Sequence, residues 1–139
     1  MTEQIKMTNE EIEKMMLNPA TAEAVKQTLP AKSSYWIGRA FDKVEQLWKP
    51  FYKEVMAITE RLTEKVVDEK TKKETVKLLN GRPVWGENQE LAEKELADLR
   101  AVEHDLGIDK IEIDFDRCDE LGIMMAPETS MVLKPFLKL

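Results

Sequence analysis

"LWKPFYKEV", residues 47–55, sets a proline inside a pattern that otherwise reads as an unbroken helix. Either the chain turns a corner at Pro50 or it passes straight through. Ile37, Phe41, Val44, Trp48, Phe51, Val55, Ile58 and Leu62 follow one another at spacings of 4, 3, 4, 3, 4, 3 and 4. That is a single a/d stripe, and its phase does not reset at the proline. Proline removes the bond to the carbonyl of Gln46 and costs roughly 3 kcal/mol in a helix interior. Burial of the large side chains around it, worth about 1.5–3 kcal/mol each, offsets that cost. The spacing predicts one long, kinked helix over residues 31–67, roughly 50 Å at ~1.5 Å per residue. Trp36, Ala40 and Leu47 widen its first half, which is expected to pack from two sides, whereas the second half meets one partner.

That partner is read in residues 88–107, "NQELAEKELADLRAVEHDLG", where Ala92, Leu96, Leu99, Val102 and Leu106 form a second stripe with Leu91 at its edge. Gly107 is the expected helix stop. The two stripes predict an antiparallel helical hairpin. A connection of about 20 residues is too long for a plain loop. Asn80-Gly81 supplies a type I′ turn, so residues 75–85 are expected to form a β-hairpin, with Pro83 at an edge or bulge.

Residues 1–30 read as short helices: Thr8 and Glu11 fit a capping box with Asn9 as a rival cap, and residues 19–29 form a helix between two prolines. Residues 108–139 read as a strand, with Ile111, Ile113 and Phe115 on its buried face, followed by a short helix opened by Pro127. The fold class is mainly α (α+β): a long kinked helix in an antiparallel helical hairpin, with a small β-hairpin, one C-terminal strand and short terminal helices. It is expected to be a single domain over residues 1–139, since a chain of 139 residues buries roughly two-thirds of its unfolded surface.

Charge narrows the function classes. The net charge is −6 and the pI about 5.0, so the chain lacks the basic footprint of a general nucleic-acid binder. Cys118 is the only cysteine, which excludes an intrachain disulfide and a cysteine zinc cluster. No segment approaches the roughly 20 apolar residues of a membrane span, and the N-terminus has no signal-peptide core. A soluble protein made in the cytoplasm is expected.

No catalytic fingerprint stands out. His104 is the only histidine and is placed in the last turn of the second long helix, where the dipole favours a cation. Asp114, Asp116, Asp119 and Glu120 in "DFDRCDE" are a cation-binding option, but the glycine and terminal glutamate of a calcium loop are out of place, and strand alternation already accounts for Asp114 and Asp116. The five glycines form no phosphate-cradling loop, and Ser33-Ser34 read as a helix cap. Lys70, Lys72, Lys73 and Lys77 alternate with Glu69 and Glu74 and read as a solvated tip. Trp36, Trp48, Trp85, Phe41, Phe51 and Tyr35 are read first as core. The alternative is an aromatic partner surface, and Met15, Met16, Met124, Met125 and Met131 suit adaptable docking. No catalytic residue, cofactor or metal is expected.

Residues 29–65, with "LPAK" at positions 29–32, Arg39 and a long charged helix, resemble a group of small uncharacterised helical proteins of tailed bacteriophages and prophages. The acidic–aliphatic run Ile111 to Phe115 and the terminal "LKPF" at Leu133 to Phe136 extend the resemblance. Pro50 and the tryptophan-rich stripe depart from it. The resemblance implies a viral, non-enzymatic protein acting by protein–protein contact or self-association as a virion structural or assembly component. Its place would be the virion or the cytoplasm of the infected bacterial host. The alternative is a small acidic inhibitor of a host enzyme or defence factor, and more remotely a metal-dependent hydrolase.

Overall fold

The stripe of residues 37–62 lies on one helix, and Pro50 sits inside it on an exposed position. The computed structural model describes residues 3–67 and 69–138. In chain order these form β1 (Gln4–Thr8), α1 (Asn9–Leu17), α2 (Thr21–Val25), α3 (Ala31–Leu62), β2 (Lys65–Val67), β3 (Glu74–Val76), β4 (Leu78–Leu79) and β5 (Arg82–Pro83). Then come α4 (Gln89–Arg100), β6 (Glu103–Asp109), α5 (Phe115–Glu120) and α6 (Pro127–Leu133). The fold is mainly helical with some β structure. Every stripe residue is at least half-buried: Val44 is fully enclosed, Ile37, Phe41, Phe51, Ile58 and Leu62 are buried, and Trp48 and Val55 are partly covered.

Two compact units emerge, one from the chain up to Trp48 together with the chain from Val102 onward, the other from Lys49–Ala101. In the first, β1 pairs antiparallel with β6, Met7 opposite His104 and Lys6 opposite Asp105. Ile5 and Met7 from β1 and Leu106 and Ile108 from β6 enter a core with Ile12, Ile37, Ala40, Phe41, Leu133 and Phe136. The Phe41 and Phe136 rings meet edge to face at 5.0 Å. Thr8 caps α1 as expected: its hydroxyl accepts from Glu11 N at 3.2 Å, and Glu11 Oε1 accepts from Thr8 N at 3.1 Å.

β1 was not foreseen, because a five-residue strand takes its identity from its partner. That partner overturns a second expectation. The helix drawn over residues 88–107 stops at Arg100, and Val102 is exposed while Leu106 sits in a strand. Helical spacing of Leu99, Val102 and Leu106 was outweighed by pairing with Gln4–Thr8. Gly107, read as a helix stop, lies where the β1–β6 register shifts; its φ of +69° suits glycine, and its N–H donates to Asp105 Oδ1 at 2.8 Å.

The strand expected at residues 111–115 is also displaced. Ile111 and Ile113 are buried, and Ile111 bridges Leu137 through bonds to Phe136 O and from Lys138 N. Phe115, however, starts α5 and is exposed, because Asp114 Oδ1 accepts from Arg117 N and caps that helix. α2 occupies only Thr21–Val25 of the helix read at 19–29. α6 opens at Pro127 as read, and a 3₁₀ turn at Lys134–Phe136 follows it.

In the second unit, Ile58 and Leu62 of α3 meet Ala92 and Leu96 of α4, flanked by Val55, Trp85 and Leu99. Asn88, just before α4, donates to the carbonyl of Leu62 at the end of α3, so the two helices meet as an antiparallel hairpin. That bond, with one from Lys65 Nζ to Glu60 O, satisfies final carbonyls of α3. This ends the helix at Leu62 rather than at residue 67, and Lys65–Val67 becomes a strand. The single hairpin read at residues 75–85 is two ribbons: β2 with β3, and β4 with β5 around Asn80-Gly81, whose φ values are +54° and +77°. Bonds from Glu64 N to Val84 O and from Lys77 N to Glu64 O, both 2.7 Å, join them.

Candidate interaction surface

Trp36 departs from the core role read for it. It retains 38% of its surface, and its neighbour Tyr35 retains 56%. The two rings stand edge to face at 5.2 Å, and the Arg39 guanidinium lies 5.9 Å from both centroids. Arg39 Nη1 also donates to Tyr35 Oη at 3.3 Å. This fixes an aromatic–cation cluster on the first turns of α3, made of residue types that dominate protein interfaces. The Ser33-Ser34 pair does not cap the helix, which starts at Ala31. Ser33 is buried, and its hydroxyl donates to Glu112 O at 3.5 Å, tying the first turn of α3 to the extended chain after β6.

Between these segments lies an open cleft of about 1080 Å³ within the first unit. One wall is Pro30, Lys32, Ser33 and Trp36, the other is residues 107–114, and Phe115, Asp116 and Arg117 from the start of α5 close one side. Ile108, Ile111 and Ile113 turn into the core beneath it, while Asp109, Glu112, Asp114, Phe115 and Asp116 stay exposed. Phe115 keeps 63% of its surface. Two of the three lining cations are engaged by acids outside the cleft, Lys110 with Glu3 at 3.2 Å and Arg117 with Glu120 at 2.9 Å. The remaining balance is acidic: four carboxylates against Lys32.

The other residues singled out in the sequence lie elsewhere. His104 is on β6, not in a helical turn, and its Nε2 faces Asn9 Oδ1 at 2.9 Å. Cys118 is buried in the core, and its burial, with like charge from Asp114 and Asp119, pushes the thiol above its ordinary value. Asp114 caps α5 and Glu120 pairs with Arg117. Among the described residues no three acidic, histidine or cysteine side chains are gathered to hold a metal ion. Phe51 is buried, Trp48 packs against the first core and Trp85 against the second. Met15 is core, Met16 and Met125 pack against it, and Met124 and Met131 are exposed at 89% and 74%. Gln27 Nε2 donates to Met124 O at 2.9 Å, holding the segment before α6 to the end of α2.

In the second unit Leu78 and Leu79 are exposed at 58% and 67%, and Val66 and Val67 of β2 are exposed as well. Lys72 and Lys73 lie in the turn between β2 and β3, at the other end of residues 74–79 from Leu79, and Lys77 bonds Glu64 at 3.2 Å. The lysines read as a solvated tip are exposed on one ribbon, and the uncovered leucines belong to the other. Sequence alone could not show this, because alternation on so short a strand does not reveal which face is uncovered. Phe115 was missed for another reason: the cap signal of Asp114 was read as strand alternation.

Compared with protein-family models, curated proteins and solved structures, the chain matches none. Among the described residues no helix is long and apolar enough to cross a membrane.

Proposed function

We propose that this is a non-enzymatic, phage-type protein that works through protein–protein contacts as a virion structural or assembly component. The observation that carries the reading is the exposed Tyr35–Trp36–Arg39 cluster beside a cleft whose other side presents Phe115. Such side chains are left in water beside the core of their own unit, and they are the types whose burial dominates partner binding. Ser33, the hydroxyl nearest the cleft, donates to a backbone carbonyl, and the single imidazole faces Asn9. The arrangement suits recognition. The viral attribution rests on the resemblance of residues 29–65, Ile111 to Phe115 and Leu133 to Phe136. The test is light scattering together with binding to capsid and tail proteins. A strict monomer with affinity for neither overturns the reading.

A second reading has its own support in the acidic cleft. Carboxylates on a chain of net charge −6 suit the basic groove of a host enzyme or defence factor, which the protein would inhibit. Capture of one host enzyme, released as salt rises, favours this reading over the first.

A further inference from the structure

The chain holds four asparagines, and their surroundings differ. Asn9 is buried, with its Oδ1 2.9 Å from His104 Nε2. Asn18 precedes Pro19, whose nitrogen carries no hydrogen, and its Oδ1 accepts from Ala20 N at 2.9 Å. Asn88 stands at the start of α4, with Nδ2 donating to Leu62 O at 3.0 Å. Asn80 is exposed, and Gly81 follows it in the turn between β4 and β5.

The side-chain carbonyl of an asparagine lies where the nitrogen of the next residue can close a five-membered ring on it. A bulky following side chain and a fixed backbone normally prevent this, and both obstacles are small at Asn80. Gly81 has no Cβ, and nothing lies within 4 Å of where one would be. Ring closure needs a backbone angle at Asn80 that a closed two-residue turn does not supply, so the turn must open first. Opening disturbs little. Leu78 pairs with Pro83 and Leu79 with Arg82, and proline has no N–H to give to such a ribbon. Leu78 and Leu79 are already exposed, so scarcely any apolar surface is lost to water. Solvent reaches the turn through an open hollow of about 570 Å³ lined by Leu79, Asn80 and Arg82 among others.

We propose that Asn80 is a site of spontaneous deamidation. The Gly81 nitrogen bonds to Asn80 Cγ, the bond from Cγ to Nδ2 breaks, and Nδ2 leaves as ammonia with the hydrogen that the Gly81 nitrogen gives up. Water then adds to one carbonyl of the resulting succinimide, and the bond from that carbonyl to the nitrogen breaks. Opening at Cγ leaves aspartate at position 80. Opening at the main-chain carbonyl leaves isoaspartate, with Gly81 joined through the side chain. Either product is one charge more negative than the −6 of the unaltered chain. Isoaspartate also lengthens the main chain by one methylene, so the turn no longer sets Leu79 opposite Arg82. The reaction consumes only water and is independent of the protein-interaction reading.

The test incubates the full native chain in heavy-oxygen water at neutral and mildly alkaline pH, then digests it with trypsin in ordinary water for fragment-ion mass spectrometry. Trypsin does not cut between Arg82 and Pro83, so Asn80 and Asn88 share the fragment 78–94 and the second is an internal reference. Position 80 should lose its amide and gain one heavy oxygen, faster at the higher pH because the attacking nitrogen must give up its proton. Asn9, Asn18 and Asn88 should be retained, and an isoaspartate methyltransferase should label the aged chain but not the fresh one. Conversion in urea should be within a few-fold of the native rate. Gly81→Ala, compared with the wild type in urea, where folding plays no part, should convert many-fold more slowly. Native Asn80 converting no faster than Asn88, a product free of isoaspartate, or a Gly81→Ala rate equal to that of the wild type overturns the proposal.

Discussion

Single residues in this molecule are held by bonds that sequence spacing does not advertise. Asp114 is the clearest case. On paper it alternates with Ile113 and Phe115 as a strand residue, yet its carboxylate takes the N–H of Arg117 and turns the chain into α5, carrying Phe115 out to the cleft. Cys118, four residues on, leads to a prediction about pH. Its folded thiol titrates above its ordinary value of 9.0, chiefly through burial. A raised pKa means that the folded state holds the proton more tightly. This contribution to stability is therefore complete below pH 9 and is lost as pH rises through the folded value. Cys118→Ala should flatten the alkaline loss of stability in denaturation curves taken on either side of that pH. The native thiol should also react with a disulfide reagent far more slowly at neutral pH than the unfolded chain does. Gly86 gives a second prediction. Its φ is +52°, and a Cβ there would run into Glu64 Oε1 and approach its Cδ to 2.9 Å. Gly86→Ala should lower stability by about 1–2 kcal/mol from the backbone alone, read as a lower urea midpoint.

Elements differ in how well they declare themselves. α3 was legible because its evidence is local: eight apolar residues in one phase, all on the covered face. Its end was not legible, since Leu62 O is taken by Asn88, a residue 26 positions away. The stretch from Glu103 to Asp109 was read as helix because its apolar spacing continues that of α4. Its true partner, Gln4–Thr8, lies almost a chain length away, and spacing within one segment carries no sign of it. The cleft suffered the same limit, as Trp36 flanks the stripe in sequence but no element covers it. Pro50 tests the helix directly. It is exposed, so an alanine there disturbs no buried side chain while restoring an N–H for the Gln46 carbonyl. The helix gains roughly 3 kcal/mol of propensity and loses about 0.4–1 kcal/mol to a freer unfolded chain. Pro50→Ala should therefore raise the unfolding free energy by about 2 kcal/mol, and a decrease would mean that the surrounding structure is fitted to the ring.

At the scale of the whole molecule, the two cores are made from different parts of the chain. Leu96 is buried in the smaller one, and Leu96→Ala should cost about 2–5 kcal/mol there. Hydrogen exchange should localise that loss. Amides of α4 and of the β2–β3 ribbon should exchange faster, while those of β1 and β6 keep their protection. Equal acceleration throughout would show that the cores open together.

Residues 49–101 are contiguous, whereas the other unit pairs Gln4–Thr8 with Glu103–Asp109 and needs segments from both sides of them. A ribosome delivers the middle unit entire before the strand that completes the outer one has been synthesised. Maturation then runs from the inside outward, reversing the usual order in which the earliest residues settle first. Gln4–Thr8 waits longest without its partner strand, and during translation it is a stretch that a chaperone has time to hold.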